Sequence, residues 1–75
     1  MNIYGRSQSS DSELEMLGEV SVLAEPFALR ELASFLYQCA DAIEDQGEEW
    51  ENGHFESSEV VSPQVVVFNP NIVNV

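Results

Sequence analysis

A proline at position 26 divides this chain between two hydrophobic rhythms, and that switch constrains the fold more than any other feature. From Glu13 to Glu25 polar and apolar residues nearly alternate. Leu14, Met16, Gly18, Val20, Val22 and Ala24 fall on one face; Glu13, Glu15, Leu17, Glu19, Ser21, Leu23 and Glu25 fall on the other. Period two is the repeat of a strand with one face buried and one largely wet. Gly18 is a candidate bulge or bend. After Pro26 the period changes: Leu29, Leu32, Leu36, Cys39, Ala40 and Ile43 recur at three- and four-residue steps. Arg30, Ser34, Gln38, Asp41 and Asp45 fill the opposite face. Proline suits the first helical position, where its missing N–H would be unpaired anyway, and glycine suits the stop. The pattern predicts an amphipathic helix over 26–46, ending at Gly47.

The flanks read as strands. Residues 2–6 can form a short one, and the polar run Ser7 to Ser12 a loop. Asn52-Gly53 is a turn dipeptide, with a short strand over 53–57 after it. Pro63 and Pro70 bracket a strand over 64–69. Its four consecutive apolar residues, Val65 to Phe68, imply burial on both faces or an interior position. The tail 70–75 has strand propensity and no evident partner in the chain. The expected architecture is a single α+β domain over 1–75, ordered β-β-α-β-β, with a small antiparallel sheet and one amphipathic helix across one face. One helix covers only one side of such a sheet, so a second copy, strand pairing between chains or a docked partner is expected on the other.

Seventy-five residues make a core that is only marginally sufficient. Cys39 is the only cysteine, so no disulfide forms within the chain; on an apolar helix face it reads as a small buried hydrophobe in a reducing compartment. The first residues carry no apolar run of signal-peptide length, and Val65 to Phe68 is far too short to span a bilayer. A cytoplasmic location is expected.

Charge narrows the function. The chain has fourteen carboxylates, two arginines (Arg6 and Arg30) and no lysine, for a net charge of −12. Nucleic-acid binding requires Lys or Arg to displace counterions from phosphate, and an anionic membrane would repel this surface. Disorder is opposed by the 44% of apolar residues. The acid is also uneven. Residues 1–40 hold six carboxylates and both arginines, whereas 41–75 hold eight carboxylates and no cation. Those eight are Asp41, Glu44, Asp45, Glu48, Glu49, Glu51, Glu56 and Glu59, with Trp50, His54 and Phe55 among them. Such a run is commonly solvated surface. Yet no cation relieves its repulsion, and aromatics inside it resemble binding anchors ringed by steering charge. Asp41, Glu44 and Asp45 also sit at the helix end where the macrodipole prefers cations. A basic protein partner accounts for the first two features; the helix-end acids mark either a functional surface or drift that a stable fold tolerates.

Catalytic and metal readings fare worse. His54 and Glu56 share a strand face and could form a general base pair, but such pairs are usually structural and no nucleophile motif accompanies them. Cys39 has no adjacent cation to activate it. One histidine among scattered glutamates matches no zinc spacing. Asp41 to Asn52 lacks glycine at the sixth position of a calcium loop. No glycine pair has phosphate-loop spacing. No enzyme activity, metal or cofactor is expected. Tyr37, at the border of the polar helix face, is either a tyrosine lying on the sheet edge or an interface anchor. Trp50 either closes the core at the helix end or stands in an interface.

The helix Pro26-Phe27-Ala28-Leu29-Arg30-Glu31-Leu32-Ala33-Ser34-Phe35-Leu36, continuing to Cys39-Ala40-Asp41, resembles the immunity protein 32 family of bacterial polymorphic toxin systems, which include contact-dependent growth inhibition. Gly18-Glu19-Val20-Ser21-Val22, Gly53-His54-Phe55 and Val65-Val66-Val67-Phe68-Asn69-Pro70 fit the same pattern. The likeness covers roughly residues 2–70, and its motifs are mainly structural. Where the family often has a second histidine two positions beyond the first, this chain has Glu56, which counts against a metal or catalytic role. The resemblance implies an α+β fold and neutralisation of a cognate toxin, often a nuclease, by direct binding.

Two readings follow. The first is an immunity protein that covers a basic toxin domain with Tyr37, Asp41, Glu44, Asp45, Glu48, Glu49, Trp50, Glu51, His54 and Glu56. The second is a structural or regulatory homodimer whose acidity serves solubility and whose valine-rich strand carries the function.

Overall fold

The computed structural model describes residues 1–9, 12–57 and 63–72. In chain order they form β1 (Ile3–Gly5), β2 (Glu15–Leu17), α1 (Pro26–Gln46), a single 3-10 turn (Gly47–Glu49), β3 (Asn52–His54) and β4 (Val66–Phe68). The chain is α+β in the expected order. Its strands pair in two separate two-stranded antiparallel sheets, one from each side of the helix, rather than in one. In the first, Ile3, Tyr4 and Gly5 face Leu17, Met16 and Glu15. In the second, Asn52, Gly53 and His54 face Phe68, Val67 and Val66.

The strands are shorter than the periodicity suggests. The alternation over 13–25 yields only Glu15–Leu17, because its partner supplies three residues, Ile3–Gly5, and the chain bends at Gly18. Beyond the bend no ladder among the described residues receives the backbone groups, and Val20, Val22 and Leu23 are exposed. The strand expected over 53–57 begins at Asn52 and ends at His54, although Phe55 N–H still donates to the Val65 carbonyl at 2.8 Å. Asn52-Gly53 is thus strand, not turn. The chain reverses earlier, through the 3-10 turn where Trp50 N–H donates to the Gly47 carbonyl at 3.2 Å. The strand expected over 64–69 is Val66–Phe68, and it is not covered on both faces: Val66 and Val67 are half-buried but Phe68 is 54% exposed. Residues 70–72 form a turn rather than a strand. Ser10 and Asp11 of the expected loop, Glu59 of the acidic run and 73–75 of the tail lie outside the described residues.

The helix has the expected ends. Pro26 occupies its first turn, and Gly47 stops it with a φ of 57°, a left-handed value that glycine adopts without a Cβ clash, donating its N–H to the Ile43 carbonyl. Its covered face runs through Ala28, Leu32, Phe35, Cys39, Ala42 and Ile43; Ala28 and Cys39 are buried and the rest half-buried. The Phe35 and Phe55 rings meet at 5.3 Å with a 42° tilt, within the range of favourable aromatic pairs. Gly53 passes close beneath: a Cβ there would lie 3.0 Å from Trp50 Cζ2 and 3.4 Å from Cys39 Sγ. The core is therefore a small cluster joining the second half of α1 to Trp50 and β3. Leu29, Leu36 and Ala40, expected on the buried face, are exposed, because that cluster covers an adjacent row of the helix instead.

Asn69 locks the far end of β4. It is fully buried, and its Nδ2 donates to the Gly47 and Trp50 carbonyls, both at 2.8 Å. Its Oδ1 accepts the Asn71 N–H at 3.0 Å, and its own N–H donates to the Glu51 carbonyl at 3.0 Å. A carboxamide supplies two donors and an acceptor in one plane, which no apolar residue can replace. Asn69→Ala should destabilise the chain by about 2–3 kcal/mol, since carbonyls in a part-buried site lose their donors. Asn69→Asp, nearly isosteric but donor-free when ionised, should also destabilise, and less at pH 4 than at pH 7 relative to the parent. Urea unfolding of the three proteins at both pH values measures this.

Candidate functional site

The acidic block straddles the junction that Asn69 ties together. Asp41, Glu44 and Asp45 lie exposed along the last turns of α1, Glu48 and Glu49 on the 3-10 turn, and Glu51 just before β3. Because Asn69 holds the carbonyls of Gly47, Trp50 and Glu51, this segment is pinned against the end of β4. The result is an open depression of about 420 Å³ lined by Glu48, Glu51, Asn52, Phe68 and Ile72. Two carboxylates and an amide flank two exposed apolar side chains; Ile72 is 39% exposed.

Phe68 and Ile72 were not among the residues singled out from the sequence. Period two along β4 separates Val66 and Phe68 from Val67 and Asn69, so a face bearing Phe68 was legible once the strand was placed. Its position beside the acidic run was not, because that depends on the Asn52–Phe68 register. Ile72 reaches the site through the turn that Asn69 starts, where Ile72 N–H donates to the Asn69 carbonyl at 3.3 Å.

The other expected residues are distributed differently. Trp50 is half-buried with its indole against Gly53, so its ring packs within the chain. Tyr37 is 75% exposed and lies apart from this depression, in a second shallow hollow of about 320 Å³ with Ala33, Leu36 and Ala40. His54 and Glu56 are exposed on either side of the half-buried Phe55. Among the described residues no three of His, Cys, Asp and Glu converge to hold a metal ion, and no helix is long and apolar enough to cross a membrane. Chemically, the depression offers acceptor oxygens around a small apolar floor. That composition suits Lys or Arg side chains, whose charged heads meet carboxylates while their stems lie on apolar surface.

No family model matches the chain, and no curated protein or solved structure gives a significant match.

Cys39 is the buried nucleophile nearest this region, and burial raises its thiol pKa above the ordinary 9.0. Since the thiolate is the reactive form, the native thiol should resist alkylation at pH 8 and react at the rate of an exposed cysteine in urea. A folded-state pKa raised above the unfolded value means that this group's stabilising contribution is present below about pH 9 and declines as pH rises further. Timed alkylation with mass detection measures the first effect.

Proposed function

We propose that this protein is a binding module that neutralises a basic toxin domain, as the resemblance to polymorphic-toxin immunity proteins implies, and that it acts by occlusion rather than by catalysis. The observation that carries the reading is the depression where Glu48 and Glu51 flank exposed Phe68 and Ile72. A nuclease must present Lys and Arg to phosphate, and carboxylates can occupy the same groups in the substrate's place. An apolar centre within a polar rim is the anatomy of an interface hot spot.

The roles divide accordingly. The cation-free run Asp41, Glu44, Asp45, Glu48, Glu49 and Glu51 supplies long-range attraction, which acts chiefly on the association rate. Phe68 and Ile72 supply short-range burial, which acts chiefly on dissociation. Glu48, Glu49 and Glu51 changed together to Gln should slow association several-fold at low salt and much less at high salt, where the field is screened. Phe68→Ala should leave association nearly unchanged and weaken the complex by about 2 kcal/mol. Stopped-flow mixing with a basic toxin domain captured as its partner measures both. Association unaffected by the triple change would remove the acidic block from the interface.

A further inference from the structure

Independently of the toxin reading, we infer that α1 pairs antiparallel with α1 of a second copy of this chain, through the row Leu29, Ala33, Leu36 and Ala40. These four recur at steps of four, three and four residues, the spacing of a helix–helix seam, and all are exposed. Leu29 is 45% and Leu36 46% exposed; the hollow beside them is lined by Ala33, Leu36, Tyr37 and Ala40 without a charged group. The row is not an extension of the chain's own core, because Phe55, Gly53 and Trp50 pack on the Phe35 and Cys39 side of the helix.

Two features identify the occupant as a second copy running the opposite way. The first is shape. A two-fold axis passing between Ser34 and Phe35 sets Leu29 opposite Ala40 of the second copy, and Ala33 opposite Leu36 of the second copy. Every large side chain then meets a small one, in both halves of the contact, which is the self-complementarity an isologous interface requires. A parallel pair would set leucine on leucine and alanine on alanine.

The second is charge. The first turn of α1 has no acidic residue and Arg30 follows it, whereas Asp41, Glu44 and Asp45 occupy the last turns with no basic residue. Glu25 caps the first turn and Glu31 stands next to Arg30, so that end is less acidic rather than cationic. Antiparallel pairing brings the more acidic end of each helix to the Arg30-bearing, less acidic end of the other. Arg30 and Asp41 of the second copy lie on the same flank of the seam, within about 3 Å of one another along the axis. The carboxylates that oppose their own macrodipole then face the favourable end of another.

Sedimentation equilibrium of the full chain should show a dimer at high micromolar concentration. Leu36→Glu should yield a monomer with unchanged far-ultraviolet circular dichroism, since Leu36 is partly exposed and outside the core cluster. Ala33→Leu and Leu36→Ala should each weaken the dimer by at least about tenfold in Kd, and the double exchange, which restores large against small, should recover most of that loss. Phe68→Glu should leave the dimer intact. A monomeric parent overturns the inference. So does a double exchange that binds no better than either single one, or a dimer dissociated by Phe68→Glu but not by Leu36→Glu.

Discussion

The Asn69 carboxamide is the constraint from which the second half of this molecule takes its arrangement. Two strands of three residues make a sheet too small to be stable alone, and a 3-10 turn after a helix has carbonyls with no partner of their own. One buried side chain answers both needs by donating to Gly47 and Trp50 while its backbone continues the ladder to Glu51. Trp50 is thereby held against Gly53, and Gly53 against Cys39, so the polar lock and the apolar cluster support each other. The juxtaposition of Glu48 and Glu51 with Phe68 and Ile72 is a consequence of that lock. The acidic surface is positioned by an uncharged group.

How much of this was legible depends on how local each determinant is. The helix was legible to its bounds because the period, the proline at its start and the glycine at its end all lie within the segment itself. Strand lengths were not, because a ladder is limited by its shorter member. Thirteen alternating residues cannot pair with three, and residues 19–25 carry the pattern of a strand without its hydrogen bonds. Nor could the pattern say which helix face is covered. The rows through Phe35 and Cys39 and through Leu29 and Leu36 are adjacent and both apolar, and only the position of Phe55 and Gly53 chooses between them.

The site shows the same division. The run of carboxylates was visible as composition, and its exposure follows from it. Its apolar companions were not visible, since Phe68 stands in a valine-rich run that reads as core, and Asn69-Pro70 reads as a turn. An asparagine in a turn is ordinarily exposed, and nothing in the local sequence marks this one as the fully buried side chain among the described residues. Gly53 misleads in the opposite sense. Beside Asn52 it has the signature of a turn, yet it is needed for the space it leaves to Trp50.

A net charge of −12 opposes any self-pairing, and the distribution of the helix's own share of it bears on the direction in which two helices would pair. With the two-fold axis between Ser34 and Phe35, the C-terminal ends of the two helices stand about 35 Å apart at a rise of 1.5 Å per residue. The Debye length at physiological salt is about 8 Å, so acidic ends at that separation are screened from each other. Each instead meets a helix start where Arg30 offsets one of Glu25 and Glu31, leaving it less acidic than the end that carries Asp41, Glu44 and Asp45. A parallel pair would superpose the acidic ends within a single Debye length. Charge collected at one end of α1 therefore sets the direction of pairing, and it leaves the Phe68 and Ile72 depressions with the acidic ends, clear of the seam.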